Sequence, residues 1–404
     1  MAGSVGADPV APTAATRIPA VRRGGAALGI AAVTLFWLSL YLYVPVLPVQ
    51  ATSLGAGVAG VGLVLAAYGF VQFVLRVPTG LWSDRLGRRQ PFLVASLAAA
   101  ALAAAGMAAA PAPLELGLGR AVSGLAACGW VVMTLLMADL LPGAGLGGAL
   151  ATAGFVSRAA QLVGTFAGGA IAQAGGFRAP FWAAAAVAVA GGLAALWVPE
   201  PARAPVAGSP GLRQRLAVGA DPRLLGASGL ALGAQCVTFV TTYGFLPIVA
   251  FNRFYAGGLD LGLLALASGA PAALAALWAG RLTRRHAPWA LAGLGFAVAA
   301  AGAALIPWVG SLAALDGAAA AIGAGLGLNA PILMTEAVRG FAATRRGTAM
   351  GFYQSIYAIG MFGGPALAGA VGGRWGLAAL FEGTAAVAVV AAVLCRSLLG
   401  GNPK

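Results

Sequence analysis

Three charged side chains, Arg120, Arg158 and Asp316, fall inside long apolar stretches of the chain, and Gln161 follows Arg158 by one helical turn. A charge at the centre of a membrane-length helix costs roughly 2.5–3.5 kcal/mol on insertion scales, so such residues are candidates for handling a solute or an ion. Asp316 is the best placed to gain and lose a proton. Arg158 with Gln161 suits an anionic or carboxylate-bearing solute, or a buried partner such as Glu115. The plainer alternative for Arg120 and Asp316 is that both reach the outer interface with their polar ends. Arg76 is expected to snorkel from the end of its helix or to support a neighbouring charge cluster, and Glu382 to pack or be neutralised locally. A second set combines apolar bodies with polar tips or amides: Trp37, Tyr41, Trp130, Gln235, Thr238, Tyr243, Asn329 and Tyr357. Aromatic rings carrying a hydroxyl or an indole N–H suit an amphipathic solute. Each alone also fits packing or an interfacial belt, Tyr41 and Tyr43 in particular.

Other chemistry is excluded. The one histidine, His286, sits in a basic segment, and the one lysine is Lys404. No nucleophile–base set and no phosphate-cradling glycine loop with a lysine is present, so neither an enzyme nor an ATP-driven pump is expected. Cys128, Cys236 and Cys395 lie in apolar runs and read as packing residues. No metal site and no cofactor is expected.

The elements that must carry these residues are membrane spans. The chain is 60% hydrophobic with mean hydropathy +0.91. Apolar runs of about 20 residues recur along nearly its whole length. Twelve spans are predicted, at about 26–47, 58–79, 91–110, 114–140, 147–173, 180–198, 224–250, 259–280, 287–306, 311–338, 348–371 and 376–397. Residues 1–25 read as a tail and 398–404 as another. The Pro- and Arg-rich stretch 199–223 reads as a linker between a bundle at 26–198 and a second at 224–397. The net charge of +14 is not a nucleic-acid signal: the cations stand in short clusters between apolar runs, without interleaved aromatics. Eighteen of the 24 Lys and Arg fall in the segments that would share one side with the termini. By the positive-inside rule both termini are expected in the cytoplasm.

One cluster stands out. Residues 80–89 read GLWSDRLGRR, with Asp84 among Arg85, Arg88 and Arg89, and with Gly80 and Gly87 as expected turns. Asp139, at the end of the fourth span, is a candidate partner for Arg88. The cluster has a degenerate copy 196 residues on, where Trp82, Arg85, Leu86, Arg88 and Arg89 recur as Trp278, Arg281, Leu282, Arg284 and Arg285. Gly280 stands where the copy would have Asp84; Glu336, with Arg284 or Arg339, would compensate. Glycine-rich stretches from Gly154 and Gly351 repeat at nearly the same offset. Duplicated halves imply a pseudo-two-fold axis along the membrane normal, with a path between them.

These residues resemble the major facilitator superfamily of secondary transporters. GLWSDRLGRR is similar to the family's signature loop between the second and third helices, and the Arg120–Gly124 pair to a second family motif. The resemblance implies an all-α fold of two six-helix bundles, working by alternating access as a monomer in the inner membrane. It implies that Asp84 braces the eleventh helix, near Gly347, when the cytoplasmic side is closed. It also implies that spans 1, 4, 7 and 10 line a cavity, where Arg120 and Asp316 would pair across the gap or take substrate and proton in turn. The expected function is proton-coupled export of a small polar or amphipathic solute. Uptake of an organic anion is the runner-up, and a non-transporting receptor or lipid-handling protein a third reading. One departure weakens export: Gly169 stands where family exporters often have a proline, and Pro365 occupies the related place in the eleventh span.

Overall fold

A computed structural model describes residues 23–200 and 217–400. The first 22 residues of the expected tail, residues 201–216 of the linker and the last four residues lie outside it. Among the described residues there are helices and turns and no strand. In chain order the helices are α1 (Arg23–Leu42), α2 (Leu47–Ser53), α3 (Val58–Leu86), α4 (Gln90–Ala109), α5 (Pro113–Cys128), α6 (Trp130–Leu140), α7 (Gly145–Gly175) and α8 (Ala179–Leu196). After the undescribed stretch come α9 (Pro222–Val240), α10 (Leu246–Phe254), α11 (Gly258–Leu282), α12 (Pro288–Leu305), α13 (Leu312–Val338) and α14 (Ala343–Leu399).

Ten described segments are long and apolar enough to cross a membrane. The expected count of twelve is reached only by adding the 31-residue α7, which carries Arg158, and by counting the arms of α14 separately. Large side chains such as Leu102, Phe155 and Leu367 remain 71% exposed, the face a bilayer would cover. Several predicted spans are not single, separate helices: the first, for one, runs past the end of α1 at Leu42. The fourth is split at Gly129 into α5 and α6. The seventh passes from α9 through one π-helical turn, Thr241–Phe245, into α10. The last two are joined without a loop, at Gly376.

Helix ends are set by local chemistry. Asp221 accepts N–H bonds from Arg223 and Leu224 at 3.0 Å and starts α9. Proline occupies the first turn of α4, α5, α8, α9 and α12, where its missing N–H is no loss. Gly176, between α7 and α8, has φ +79°, and Gly376 has φ +88°; both take a conformation that strains any side chain. The buried Phe181 and Phe381 follow each glycine by five residues.

The duplication is expressed in the packing. α1 packs on α7 and α8, and α4 joins α5 to α8. In the second part α9 packs on α13 and α14, and α12 joins α13 to the outer arm of α14. Two seams cross between the parts, α3 on α14 and α7 on α11. Each is lined with glycine. A Cβ built on Gly62 would lie 2.9 Å from the Cα of Gly369 and press on the Pro365 carbonyl. One built on Gly169 would lie 2.5 Å from the Cα of Gly262 and 2.6 Å from the Gly258 carbonyl oxygen. The 196-residue offset carries Gly62 to Gly258 and Gly169 to Pro365, so the two seams are one contact made twice. Backbones approach this closely only where side chains are absent.

Candidate functional site

The middle of the molecule holds a connected series of aromatic rings. Trp37 of α1 meets Trp130 of α6 edge-on at 5.1 Å and Tyr41 at 5.9 Å. Tyr41 meets Tyr243, in the π-helical turn, at 5.7 Å. Tyr243 meets Phe239 at 5.3 Å, and Phe239 stacks on Tyr68 of α3 at 6.1 Å. The Tyr41–Tyr243 and Tyr68–Phe239 contacts join the first part of the chain to the second. Such pairs add about 0.5–1.5 kcal/mol beyond burial. A π-turn is uncommon, recurs at functional sites, and here sets Tyr243 in the series. Trp37, Tyr41, Trp130 and Tyr243, singled out as separate polar-tipped aromatics, are thus brought together. The Trp37 indole N–H is buried and has no partner. Gln235 and Thr238 are half-buried on α9 below the rings; the Thr238 hydroxyl is spent on the Ala234 carbonyl at 2.9 Å.

The arginines are placed differently from expectation. Arg120 does not pair with Asp316. Its guanidinium lies 4.1 Å from the centre of the Tyr68 ring, faces Tyr43 at 5.8 Å, and donates weakly to the Ser123 and Tyr43 hydroxyls at 3.4 and 3.5 Å. A desolvated cation over an aromatic face gains about 2 kcal/mol. Asp316 turns instead towards α11, with the like charge of Asp260 as neighbour and its buried Oδ1 without a partner. The repeat fixes the depth of both residues but not the direction in which each points.

Arg76 does not snorkel. It is 6% exposed and donates to the Tyr357 hydroxyl at 3.1 Å, to Gln354 at 3.5 Å and to Gln72. Tyr357 and Gln354 belong to α14, so this cluster crosses the α3–α14 seam. Arg158 stays exposed and donates to Gln161 at 3.3 Å; Glu115 is not its partner. Arg158 is also the charged neighbour of Tyr41, at the edge of the aromatic series. Asn329 leaves the expected set. It is fully buried against Gly295 of α12, and neither atom of its amide has a partner. Glu382 is exposed on the outer arm of α14.

At the end bearing residues 80–89, Gly80 is not a turn but lies inside α3, facing Val131. Gly87 does end the helix, with φ +61° and its N–H on the Ser83 carbonyl. The chain re-enters helix at Gln90. Asp139 of α6 pairs with Arg89 at 2.7 Å, and not with Arg88, which is exposed. Arg89 opens α4 and is only 10% exposed at its side chain, so it points inward where Arg88 points out. Asp84 lies in the last turn of α3; its side chain is outside the described part of the structure.

Sequence reading missed a third member here. Glu200 accepts the Arg89 and Gln90 backbone N–H groups at 2.8 and 2.7 Å and so caps α4, while Gln90 donates back to the Leu196 carbonyl at 2.8 Å. A carboxylate just after the apolar span 180–198 is the signal that could have found it. In the copy, Glu336 pairs with Arg339 at 3.1 Å. Beside it, where Gly280 replaces an acid, is a cavity of about 150 Å³ whose walls include Thr283, Pro331 and Thr335.

The fold is that of a multi-pass membrane protein. A model of the Major Facilitator Superfamily matches residues 29–365, and the chain belongs to that family. The members of that family are transporters and not enzymes. The chain is 32% identical over 181 residues to the inner membrane transport protein YajR of Escherichia coli K12; the match covers 45% of this chain and 39% of that one. It is 33% identical over 132 residues to the class E tetracycline resistance protein of Escherichia coli, covering 31% of each. The matched stretches thus span about a third to two fifths of these relatives' lengths. Among solved structures, the nucleoside transporter NupG superposes with TM-score 0.75 at 14% identity, over 93% of this chain and 100% of that one. That likeness is one of fold.

Proposed function

We propose that this transporter moves an amphipathic, ring-bearing solute by alternating access, in the direction of export and coupled to protons. The observation that carries the reading is the aromatic series at the contact of the two parts. Tyr41 with Tyr243, and Tyr68 with Phe239, are ring contacts that join the two parts. A solute entering there would replace ring–ring contacts with ring–solute contacts, at little cost in burial. The two glycine seams support a rocking motion, because each sets backbone against backbone at its glycines. Export is supported by the partial match to a tetracycline resistance protein, and opposed by Gly169 in place of the exporters' proline. Asp316 is the proposed proton carrier: its Oδ1 is buried without a partner and its charged neighbour is another acid.

The test is reconstitution in liposomes with solutes first found by thermal shift, since a ligand selective for the folded state raises its melting temperature. A pH gradient should drive flux of at least one stabilising solute, and Asp316→Asn should reduce that flux at least tenfold while binding persists. Flux indifferent to the gradient would remove proton coupling.

A further inference from the structure

The geometry points to an anion-binding site at the α3–α14 seam, centred on Arg76, that takes the acidic group of an aromatic organic anion. This inference names the substrate class for the site proposed above and rests on that reading. Arg76 is 6% exposed, yet all of its partners are neutral: Gln72, Gln354 and the Tyr357 hydroxyl. Its Nε–H is buried and unpartnered. Arg120, 4% exposed, likewise has only hydroxyls and ring faces around it, and its own Nε–H is unpartnered. Tyr68 is the neighbour of both guanidiniums, so the two cations share one locality. Among the described residues no carboxylate lies within 4.0 Å of either. Asp84 stands two turns beyond Arg76 on α3, about 12 Å along the axis, while the guanidinium leans the other way, towards Gln72.

Two buried cations without a counter-ion are a costly arrangement in an apolar interior. Neutral acceptors lower that cost but leave the net charge. A carboxylate or a similar anionic group supplied by the solute would cancel it, through charge-assisted bonds to a planar donor fork. The rings that begin at Tyr68 and run through Phe239 to Tyr243 then offer the solute's aromatic body a continuous surface. Because Arg76 belongs to α3 while Gln354 and Tyr357 belong to α14, an anion held there touches both moving parts.

The experiment compares two probes of one shape, 2-naphthoate and 2-naphthamide, by calorimetric titration of the purified full-length protein. Naphthoate is expected to bind at least tenfold more tightly than naphthamide, in line with the net value of a hydrogen bond to a charged group. Arg76→Gln should bring the two probes within about twofold of each other. Tyr357→Phe, which keeps the charge but frees the guanidinium from its anchor, should reduce the preference by a smaller factor. Equal binding of the two probes to the native protein overturns the assignment, and needs no variant to be folded. So does the absence of naphthoate binding at millimolar concentration, or a preference that survives Arg76→Gln. The transport reading has a separate readout: pH-driven flux of any other solute leaves it standing even if naphthoate shows no preference, whereas naphthoate bound tightly but never moved preserves the site and removes transport.

Discussion

The two ends of the molecule treat its internal duplication differently. At the end away from residues 80–89, the α3–α14 and α7–α11 seams repeat one close backbone approach, Gly62 on Pro365 and Gly258 on Gly169. At the other end the copies have diverged. The first carries a carboxylate network that ties α6, α4 and the segment after α8 together through Asp139, Arg89 and Glu200. The second carries, among the described residues, one pair at the end of α13, Glu336 with Arg339, beside a cavity at Gly280. The difference follows from what each end is made of. A glycine seam has no side chain to vary without a clash, so duplication persists in it. A charged loop tolerates loss of one partner, because water meets the rest.

The largest expected effects test the symmetric end. Gly62→Leu and its counterpart Gly258→Leu each drive a side chain into facing backbone that cannot rotate away. Each should lower stability by about 3 kcal/mol and reduce flux more than tenfold. The two losses should agree to within about 1 kcal/mol, read as paired denaturation curves in detergent. A large loss at one seam and none at the other would break the symmetry. The next effects test the asymmetric end. Asp139→Asn removes the charge that faces Arg89, whose side chain is only 10% exposed. It should cost about 2 kcal/mol, less than for a fully buried pair because Asp139 is partly exposed. Arg339→Gln removes a cation that is 51% exposed and should cost less than about 1 kcal/mol. Equal losses in the two variants would mean that the second copy is as firmly tied as the first.

Much of this architecture is legible in the sequence, and what is not has a physical reason. Spans are read from runs of apolar residues, because nothing else satisfies a bilayer. The duplication is read from a charge pattern. That Arg120, Trp37, Tyr41 and Tyr243 lie within helical segments is legible too. Azimuth is not. Arg120 turns to Tyr68, Asp316 to the neighbourhood of Asp260, and Asn329 to Gly295, because a helix buried on several sides carries no polar face to orient it. Arg76 reads as a helix-end residue because it lies close to the charged loop, whereas its partners on α14 are some 280 residues away in sequence. The choice between Arg88 and Arg89 depends on the left-handed turn at Gly87, which rotates one inward and leaves the other in solvent.

Two smaller predictions sharpen the contrast at the charged end. Asp84→Asn should move the protein towards the state open at that end by about fivefold in population, the value of one charge–dipole contact of about 1 kcal/mol. Spin-label distances between the ends of α3 and α14 measure it, and unchanged distances would remove the brace assigned to Asp84. Gly280→Asp is the converse. Nothing lies within 4 Å of a Cβ built there, and the cavity beside it has room for a carboxylate. Stability should change by no more than about 0.5 kcal/mol, since glycine in a helix is itself unfavourable and the added acid sits among Arg281, Arg284 and Arg285. The same spin-label pair should then shift towards the closed state, by less than Asp84→Asn shifts it away, because Glu336 and Arg339 already engage one another beside that position. If Gly280→Asp shifts nothing, the missing acid is not what makes the two copies unequal, and the asymmetry rests on Glu200 and the α4 cap alone.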